Sequence, residues 1–430
     1  RAPWRAALLG LAGAERPAVG SSPMDMSAAD GVEPLQDWWN LQYIGSVGIG
    51  TPAQTARVLV DTGSSDLWVS PSCYDSGMSS TAVPSDDAVS VSYGQGRVAG
   101  DVLADDVTLG DIRVRSQRLF MLRAQQGMES VAADGVMGLA LPGLSHTGET
   151  LLQRLAQQAN VSAFRLFLTG TAEGSYLALG HPSASWYADH AVEWAPAVTG
   201  LWWALEGGLR VDGEDLLSGV FLLDSGTSYL ALPVGCYQAF IRAVVGDDIR
   251  RCQLDPFVGA QRCPCDVARG KRSIAVRVGV REFPLRPEDL LLPAGGADCV
   301  LQVMPVMTGV HAILGDTFLR TVHAVFDAGA PGGPRIGLAA RPPTPRSPDV
   351  VEPRPGLPPT GDRDWQAILW LPLLQAAAGL TCIFGAMFLC VAQSDAKRTS
   401  QDRFQFGNPG QTARLSASTG EEAAAPYVKL

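Results

Sequence analysis

The chain has 430 residues, of which 46% are hydrophobic, and this favours a globular protein with a sizeable core over a disordered one. Its net charge of −10 and its pI of about 5.0 argue against a nucleic-acid partner. Six of the eight cysteines lie outside a long apolar segment near the C-terminus, and this even number permits three disulfides in an oxidising compartment. No cysteine or histidine spacing indicates a metal site, so we expect neither a metal nor a cofactor.

Residues 1–34 predict a leader. A short apolar run at residues 6–14 ends in Ala12-Gly13-Ala14, a small-x-small pattern that is typical of signal-peptide cleavage. A disordered Ala-rich leader is the alternative interpretation. Residues 15–34 contain Pro, Gly and Ser with little periodicity, and we expect disorder or a short prosegment there.

Residues 38–337 predict a mainly β fold. Short β-branched runs, such as residues 46–49, alternate with Gly, Pro and Asp. Apolar spacing favours a helix at residues 149–158 and a second one at residues 236–245. Helical pattern is otherwise sparse, so strands should build most of the core.

The C-terminal part predicts a membrane anchor. Eight prolines within residues 341–364 indicate an extended stalk. Residues 365–392 then predict a transmembrane helix, because the 25 residues from Ile368 carry no charge and reach roughly 37 Å as a helix. A buried core helix is the alternative, but a stalk precedes this segment and no further domain follows it.

Flanking Arg and Lys residues do not orient this helix. The expected disulfides and the signal-peptide interpretation both place residues 1–364 in the lumen and residues 393–430 in the cytosol. The sequence therefore predicts a single-pass type I membrane protein. On this topology the sequon at Asn160 would be luminal and is a candidate glycosylation site.

An acid motif occurs twice in the β region. Residues 58–64 read Val-Leu-Val-Asp-Thr-Gly-Ser, and residues 221–227 read Phe-Leu-Leu-Asp-Ser-Gly-Thr, with the acids at Asp61 and Asp224. Each copy is followed by an apolar-apolar-Gly element that ends at a glycine, 77 residues after Asp61 and 91 residues after Asp224. We interpret this repeat as an internal duplication in which two lobes each offer one carboxylate to a shared site.

The chemistry of paired acids gives the duplication a purpose. Two carboxylates at hydrogen-bond distance share one proton, because both cannot ionise easily. One can then take a proton from water while the other donates a proton to a peptide carbonyl. Gly63 and Gly226 would let the two backbones approach, and the hydroxyls of Ser64 and Thr227 would orient the carboxylates.

Over roughly residues 34–340 the sequence resembles the pepsin-like aspartic proteases of family A1. Besides the acid motifs, residues 43–54 resemble the mature N-terminus of that family, and residues 313–320 resemble its second lobe. The resemblance implies a mainly β, bilobal fold with a central cleft. The N-terminal lobe would span residues 35–195 and the C-terminal lobe residues 196–340.

The resemblance also implies a flap, a β-hairpin that closes over the substrate. Tyr93 matches the flap tyrosine, and Trp68 matches the tryptophan that orients it, although a plain core role for Trp68 is the alternative. The backbone of Gly94 and Gln95 would donate hydrogen bonds to an extended peptide. Asp66 lies where relatives often carry Asn, and we expect no catalytic role for it.

Cys265 and Cys299 lie where the family has its second-lobe disulfide, so the resemblance pairs them. The four remaining luminal cysteines, which are Cys73, Cys236, Cys252 and Cys263, allow three pairings between which the sequence does not choose.

Together these patterns predict a membrane-anchored aspartic endopeptidase with an acidic optimum. We expect a monomer that cleaves peptide or protein substrates in the secretory or endosomal pathway or at the cell surface, with the lipid bilayer as its other partner. A peptide-binding protein without turnover is the alternative. It would need a damaged acid motif, and both motifs are intact.

Overall fold

The structure, a computed structural model, describes residues 31–341 with these exceptions: 95, 129, 172, 256–259, 268–271 and 307–310. The leader up to residue 30, the stalk beyond residue 341, the predicted transmembrane helix and the tail lie outside the described residues. Within the described part of the chain, no helix is both long and apolar enough to cross a membrane.

Strands dominate the described residues, as the sequence predicts. In the first part of the chain they are β1 (Val32–Trp38), β2 (Gln42–Ile49), β3 (Gln54–Asp61), β4 (Leu67–Val69), β5 (Val83–Ser92), β6 (Arg97–Leu109), β7 (Ile112–Gln126), β8 (Gly135–Gly138), β9 (Ala163–Phe167), β10 (Ser175–Leu179) and β11 (Glu193–Pro196). In the second part they are β12 (Ala204–Val211), β13 (Glu214–Leu223), β14 (Leu230–Pro233), β15 (Gln253–Asp255), β16 (Ala260–Pro264), β17 (Ile274–Val278), β18 (Arg281–Pro284), β19 (Leu291–Gly295), β20 (Asp298–Leu301), β21 (Val303–Val306), β22 (Ala312–Leu314), β23 (Val322–Asp327) and β24 (Arg335–Ala340). Residues 32–34, which we assigned to the leader, therefore begin a strand.

The α-helices of the described residues are short: α1 (Leu151–Ala159), α2 (Ala184–Asp189), α3 (Val234–Val245) and α4 (Asp316–Leu319). Helix α1 starts later than predicted because Thr150 caps it. The Thr150 hydroxyl accepts a hydrogen bond from the Gln153 backbone N–H, and the Gln153 side chain accepts one from the Thr150 N–H. The helix ends at Asn160, which adopts the left-handed conformation with φ 55°.

The acid motifs lie in two copies of one strand arrangement. In the first repeat, strands are ordered β2-β3-β8-β4-β7, and in the second repeat they are ordered β12-β13-β22-β14-β21. In both repeats the strand that leads to the acid pairs in parallel with the apolar-apolar-Gly strand, as β3 does with β8 and β13 with β22. The second element of each sequence repeat is therefore the strand beside the acid-bearing strand.

A shared sheet joins the two parts of the chain. Strands β11, β24, β23, β9, β10 and β1 are neighbours in that order, so the last two strands of the fold pair with strands that precede the second repeat. Strands β23 and β9 are antiparallel, with Val325 opposite Arg165. An aromatic cluster lies beside this contact, where Phe164 stacks on Phe326 at 4.7 Å and Trp203 packs edge-on against Phe326 at 5.2 Å. Burying one such ring contributes about 1.5–3 kcal/mol.

Two disulfides are formed among the described cysteines, Cys252–Cys263 and Cys265–Cys299. Both lie beside the small sheet of β15, β16, β20 and β19. Cys73 and Cys236 are free, so the third disulfide that the even cysteine count permitted is not formed. Cys73 follows β4 in the first repeat, whereas Cys236 lies on α3 in the second part of the chain.

Candidate active site

Asp61 is the last residue of β3, and its carboxylate is held by its own motif. Oδ1 accepts a hydrogen bond from the Gly63 N–H at 2.8 Å, and Oδ2 accepts one from the Ser64 hydroxyl. The side chain is buried, with 6% of the residue exposed. A buried carboxylate is tolerated only where donors replace water, and the turn after β3 supplies two of them.

Asp224 directly follows β13 and repeats this geometry. Its Oδ1 accepts a hydrogen bond from the Gly226 N–H at 2.8 Å, and its Oδ2 accepts one from Thr227 Oγ1 at 2.7 Å. The residue is 2% exposed. The predicted supporting hydroxyls therefore lie on the two carboxylates as the duplicated sequence suggests.

The two glycines bring the two acids together. A Cβ atom on Gly63 would lie 2.6 Å from Asp224 Cγ, and one on Gly226 would lie 2.8 Å from Asp61 Cγ. No side chain fits at such distances, so each carboxylate packs against the glycine of the opposite motif. The structure thus joins residues that are 163 positions apart into one site.

Two further hydroxyls, for which we predicted no role, join the two motifs by hydrogen bonds. The Ser225 N–H donates to Thr62 Oγ1 at 2.9 Å, and the Thr62 N–H donates to Ser225 Oγ at 3.1 Å. Thr62 Oγ1 also donates to the Leu223 carbonyl, and Ser225 Oγ donates to the Val60 carbonyl. A hydroxyl residue lies between Asp and Gly in both copies of the motif, and this repeat could have identified Thr62 and Ser225 from the sequence.

Burial and the nearby charge of Asp61 raise the pKa of Asp224 well above its ordinary value of 3.8. The pair therefore holds a proton at pH values where an isolated aspartate would have lost it. One protonated and one ionised carboxyl group, side by side, form an acid and a base in the same site.

The residues of the predicted flap lie at the tip of the hairpin formed by β5 and β6. Its tip is closed by a hydrogen bond of 2.7 Å from the Tyr93 N–H to the Gly96 carbonyl. The indole N–H of Trp68 donates to the Tyr93 hydroxyl at 2.9 Å, and Trp68 is 2% exposed. Burial, followed by the charge of Asp61, raises the pKa of Tyr93. Gly94 is exposed, and Gln95 lies outside the described residues.

Asp316 is a third acid beside the site, and no sequence pattern predicted a role for it. It is fully buried, and neither of its carboxylate oxygens has a hydrogen-bond partner among the described residues. Its backbone N–H donates to the Thr227 carbonyl at 2.8 Å. Burial raises its pKa well above 3.8, an effect that Arg320 partly offsets. A difference between the two copies could have revealed Asp316 in the sequence. The apolar-apolar-Gly element is followed by Leu139 in the first copy and by Asp316 in the second.

The remaining predicted positions, Asn160, Cys265 and Cys299, are distant from Asp61 and Asp224 in the sequence. Asn160 is exposed at the end of α1. Among the residues that the structure describes, no group of three or more His, Cys, Asp or Glu side chains could hold a metal ion.

Two repeats that pack hydrogen-bonded aspartates against each other, with a β-hairpin tied to the first repeat through Trp68 and Tyr93, are typical of the aspartic protease class. The profile of the eukaryotic aspartyl protease family matches residues 42–341, and the chain therefore belongs to that family. It is an aspartic-type endopeptidase, similar to pepsin A and gastricsin.

Three relatives illustrate this similarity. Gastricsin of Callithrix jacchus is 32% identical over 71% of this chain and 83% of its own length. Pepsin A of Sus scrofa is 30% identical over 73% of this chain and 85% of its own length. The crystal structure of an aspartic proteinase from Irpex lacteus has the same fold, with a TM-score of 0.63 and 24% identity over 72% of this chain and 97% of that one.

Proposed function

We propose that Asp61 and Asp224 are the catalytic dyad of this endopeptidase. The observation that carries the proposal is the packing of each carboxylate against the glycine of the opposite motif. It is supported by matched hydrogen bonds on both acids and by the raised pKa of Asp224. Gly63 and Gly226 would allow the close approach, while Ser64 and Thr227 would keep the carboxylates in orientation.

In the proposed reaction, Asp224 carries the shared proton and Asp61 is ionised. Asp61 takes a proton from a water molecule as the water oxygen attacks the peptide carbonyl carbon, while Asp224 gives its proton to the carbonyl oxygen. The resulting tetrahedral diol then breaks its C–N bond as Asp61 passes the proton it gained from water to the leaving nitrogen and Asp224 takes a proton from one diol hydroxyl. The products are a carboxylic acid and an amine, and the dyad again holds one proton.

We assign substrate binding to the flap. Tyr93 and Trp68 would hold the hairpin over the dyad, and the backbone at Gly94 and Gln95 would add an extended peptide as an extra strand. Strand addition binds any peptide backbone through main-chain hydrogen bonds. It therefore suits an endopeptidase, whose selectivity comes from side-chain pockets.

We further propose that the protease is anchored in a membrane with its catalytic lobes luminal or extracellular. The uncharged segment at residues 365–392, the proline-rich stalk before it and two disulfides in the folded part support this topology. The exposed position of Asn160 would make it accessible to glycosylation. Substrates would then be secretory, endosomal or surface proteins.

The dyad is tested by peptide cleavage with the full chain between pH 3 and pH 7. Asp61→Asn and Asp224→Asn should each lower kcat/KM by at least about 1,000-fold, since each removes one partner of the proton exchange. Asp105→Asn is the matched control, because Asp105 is also fully buried and hydrogen-bonded but lies on β6. Cleavage that survives either dyad substitution would contradict the assignment.

The anchor is tested separately by alkaline carbonate extraction of membranes from secreting cells. The full chain should stay in the membrane pellet, whereas a chain ending at residue 341 should appear in the supernatant. An Asn160→Gln variant should lose any mass shift that a glycosidase removes from the native chain. A full chain that carbonate extracts would reject the transmembrane helix.

A further inference from the structure

Asp66 lies five residues after Asp61, is 1% exposed, and its carboxylate is enclosed by a loop from a distant part of the chain. The donors come from residues 145–147. Oδ1 accepts hydrogen bonds from Ser145 Oγ at 2.9 Å, the His146 N–H at 2.9 Å, and the Thr147 N–H and Oγ1 at 3.1 Å; Oδ2 accepts from the His146 N–H at 3.1 Å and lies 2.8 Å from His146 Nδ1. Such a set of donors fixes the position of the carboxylate.

Asp66 also stands midway between two contacts of the candidate active site. Two residues before it, Ser64 donates its hydroxyl hydrogen bond to Asp61. Two residues after it, Trp68 donates its indole hydrogen bond to Tyr93. Any movement of the Asp66 backbone therefore shifts the group that orients the acid and the group that holds the flap.

The backbone around Asp66 is clamped from a second direction. The Gly138 N–H donates to the Asp66 carbonyl at 3.1 Å, and the Ala140 N–H donates to the Ser64 carbonyl at 2.8 Å. These main-chain bonds require no particular side chain at position 66. The carboxylate of Asp66 is the part of the clamp that depends on residue identity, and it ties the motif to the loop that leads into α1.

We propose that Asp66 is a positioning residue, whose carboxylate, held by residues 145–147, keeps Ser64 and Trp68 in place for Asp61 and Tyr93. The functional part of this inference rests on the proposed dyad. Without the carboxylate, the N–H and the hydroxyl of buried Thr147 lose their acceptor, at a cost of about 1–3 kcal/mol each, and the less buried donors of Ser145 and His146 lose theirs as well. The loop then rearranges, and a shift of about 1 Å in a reacting geometry can cost about 100-fold in rate.

The charge of Asp66 is felt at the flap as well. After burial and the charge of Asp61, Asp66 is a further contributor to the raised pKa of the Tyr93 hydroxyl. The carboxylate is thus within electrostatic range of the hydrogen bond that it is inferred to position.

The test compares Asp66→Ala with Asp66→Asn in the full chain. Asn keeps one oxygen that can accept the backbone hydrogen bonds of the loop, so it should rescue what Ala loses. Asp105→Ala is the matched control, because it removes another buried carboxylate that accepts hydrogen bonds, from Tyr74 and Thr81. It should lower Tm without affecting Ser64 or Trp68.

The first readout is independent of catalysis. In ¹⁵N-tryptophan-labelled protein, the indole N–H resonance of Trp68, assigned with Trp68→Phe, should shift or broaden in Asp66→Ala but not in Asp66→Asn or Asp105→Ala. If Asp66→Ala does not fold, the double variant Ser145→Ala/Thr147→Val, which removes two donors to the carboxylate, should show a smaller shift of the same resonance. An unchanged resonance in the folded variants overturns the inference.

The second readout is steady-state peptide cleavage. Asp66→Ala should lower kcat about tenfold or more and change KM less than about twofold, while Asp66→Asn stays within about threefold of the native chain. Equal losses in Asp66→Ala and Asp105→Ala overturn the positioning role. If the native chain cleaves nothing, the proposed dyad fails, and the Trp68 resonance still decides whether Asp66 positions this segment.

Discussion

The two acid motifs are alike in their inner contacts and different in their outer ones. Both carboxylates accept one hydrogen bond from the glycine N–H two residues later and one from the hydroxyl three residues later. Outside this inner set, the first copy continues to the enclosed carboxylate of Asp66 and to the flap through Trp68. The second copy is flanked by Asp316, a buried acid whose carboxylate has no hydrogen-bond partner among the described residues.

The comparison shows that the contacts shared by the two copies and the contacts that differ between them have different roles. The shared inner contacts hold two like charges at one place, a task that both repeats must perform equally. The outer contacts are specialised, since the first copy connects to the proposed flap and the second copy adds a further titratable group beside the paired acids. Substitutions in the inner set should therefore have equal effects in both copies, and substitutions outside it should not.

Gly63→Ala and Gly226→Ala probe the inner set and should have the largest effects. The new Cβ would overlap Asp224 in the first variant and Asp61 in the second, so each should lower kcat/KM by at least about 100-fold. Peptide cleavage at the pH of maximal activity measures both. Gly235→Ala on α3 is the control, because nothing lies within 4 Å of its Cβ. A large loss in only one of the two copies would break the symmetry argument.

Thr62→Val and Ser225→Ala probe the crossed hydroxyls that join the copies. Each removes two buried hydrogen bonds between the motifs, so each should lower the free energy of unfolding by about 1–3 kcal/mol and reduce kcat by roughly tenfold. Thermal unfolding and peptide cleavage measure the two effects.

Ser65→Ala serves as the control for this pair. Its hydroxyl is also fully buried and donates to the Leu141 carbonyl at 2.7 Å, within the first part of the chain. It should cost stability but little activity. The double variant Thr62→Val/Ser225→Ala should lose less stability than the two single losses added together, since the residues share contacts. Strict additivity would show that the two hydroxyls act independently.

The inner set could be predicted from the sequence because it repeats. A duplicated Asp-hydroxyl-Gly-hydroxyl pattern identified Asp61, Asp224, Ser64 and Thr227, and a mainly β fold followed from the short β-branched runs. The outer contacts could not be predicted, because each depends on residues that one copy has and the other lacks. The enclosure of Asp66 by residues 145–147 joins positions about 80 apart with no counterpart in the second copy to reveal it.

The pairing of Cys252 with Cys263 could likewise not be predicted from the sequence. Cysteine counts allow several pairings, and the choice of Cys252–Cys263 depends on β15 and β16 lying side by side, which the sequence does not show. The sheet shared by β9 and β23 was also beyond the sequence, since periodicity identifies strands but not their partners.

Tyr93→Phe and Trp68→Phe test the outer contact of the first copy. Both remove the same hydrogen bond between the indole and the phenol, so both should lower kcat/KM by roughly three- to tenfold, and the double variant should lose little more. Trp186→Phe controls for the loss of a buried indole, since Trp186 is 7% exposed on α2. Losses that multiply in the double variant would mean that the two side chains act separately on the substrate.

Asp316→Asn tests the outer feature of the second copy, and its effect should be the smallest. The pKa of Asp316 is raised in the folded chain above the ordinary value of 3.8 by burial, so the folded state holds a proton that the unfolded state has lost. The stability from this group is fully present below pH 3.8 and is lost as the pH rises. Asn is neutral at every pH in this range, so the variant avoids the cost of a buried charge. It should match the native Tm at pH 4 and exceed it by about 3 °C or more at pH 7.

For Asp105→Asn, the Tm difference from the native chain should change with pH in the opposite direction. Comparing the two variants therefore tests the direction of each pKa shift. Burial raises the pKa of Asp105, but hydrogen bonds from the Thr81, Tyr74 and Ser79 side chains and from the Asp106 N–H together outweigh burial and lower it below 3.8. The ionised form therefore contributes stability above pH 3.8, and that stability is lost as the pH falls through the lowered pKa. The Asn variant lacks this contribution and should lose more Tm at pH 7 than at pH 3, measured by thermal unfolding at both values. If the Tm differences of both variants change with pH in the same direction, the protonated state assigned to Asp316 is wrong. The second copy then differs from the first in shape alone.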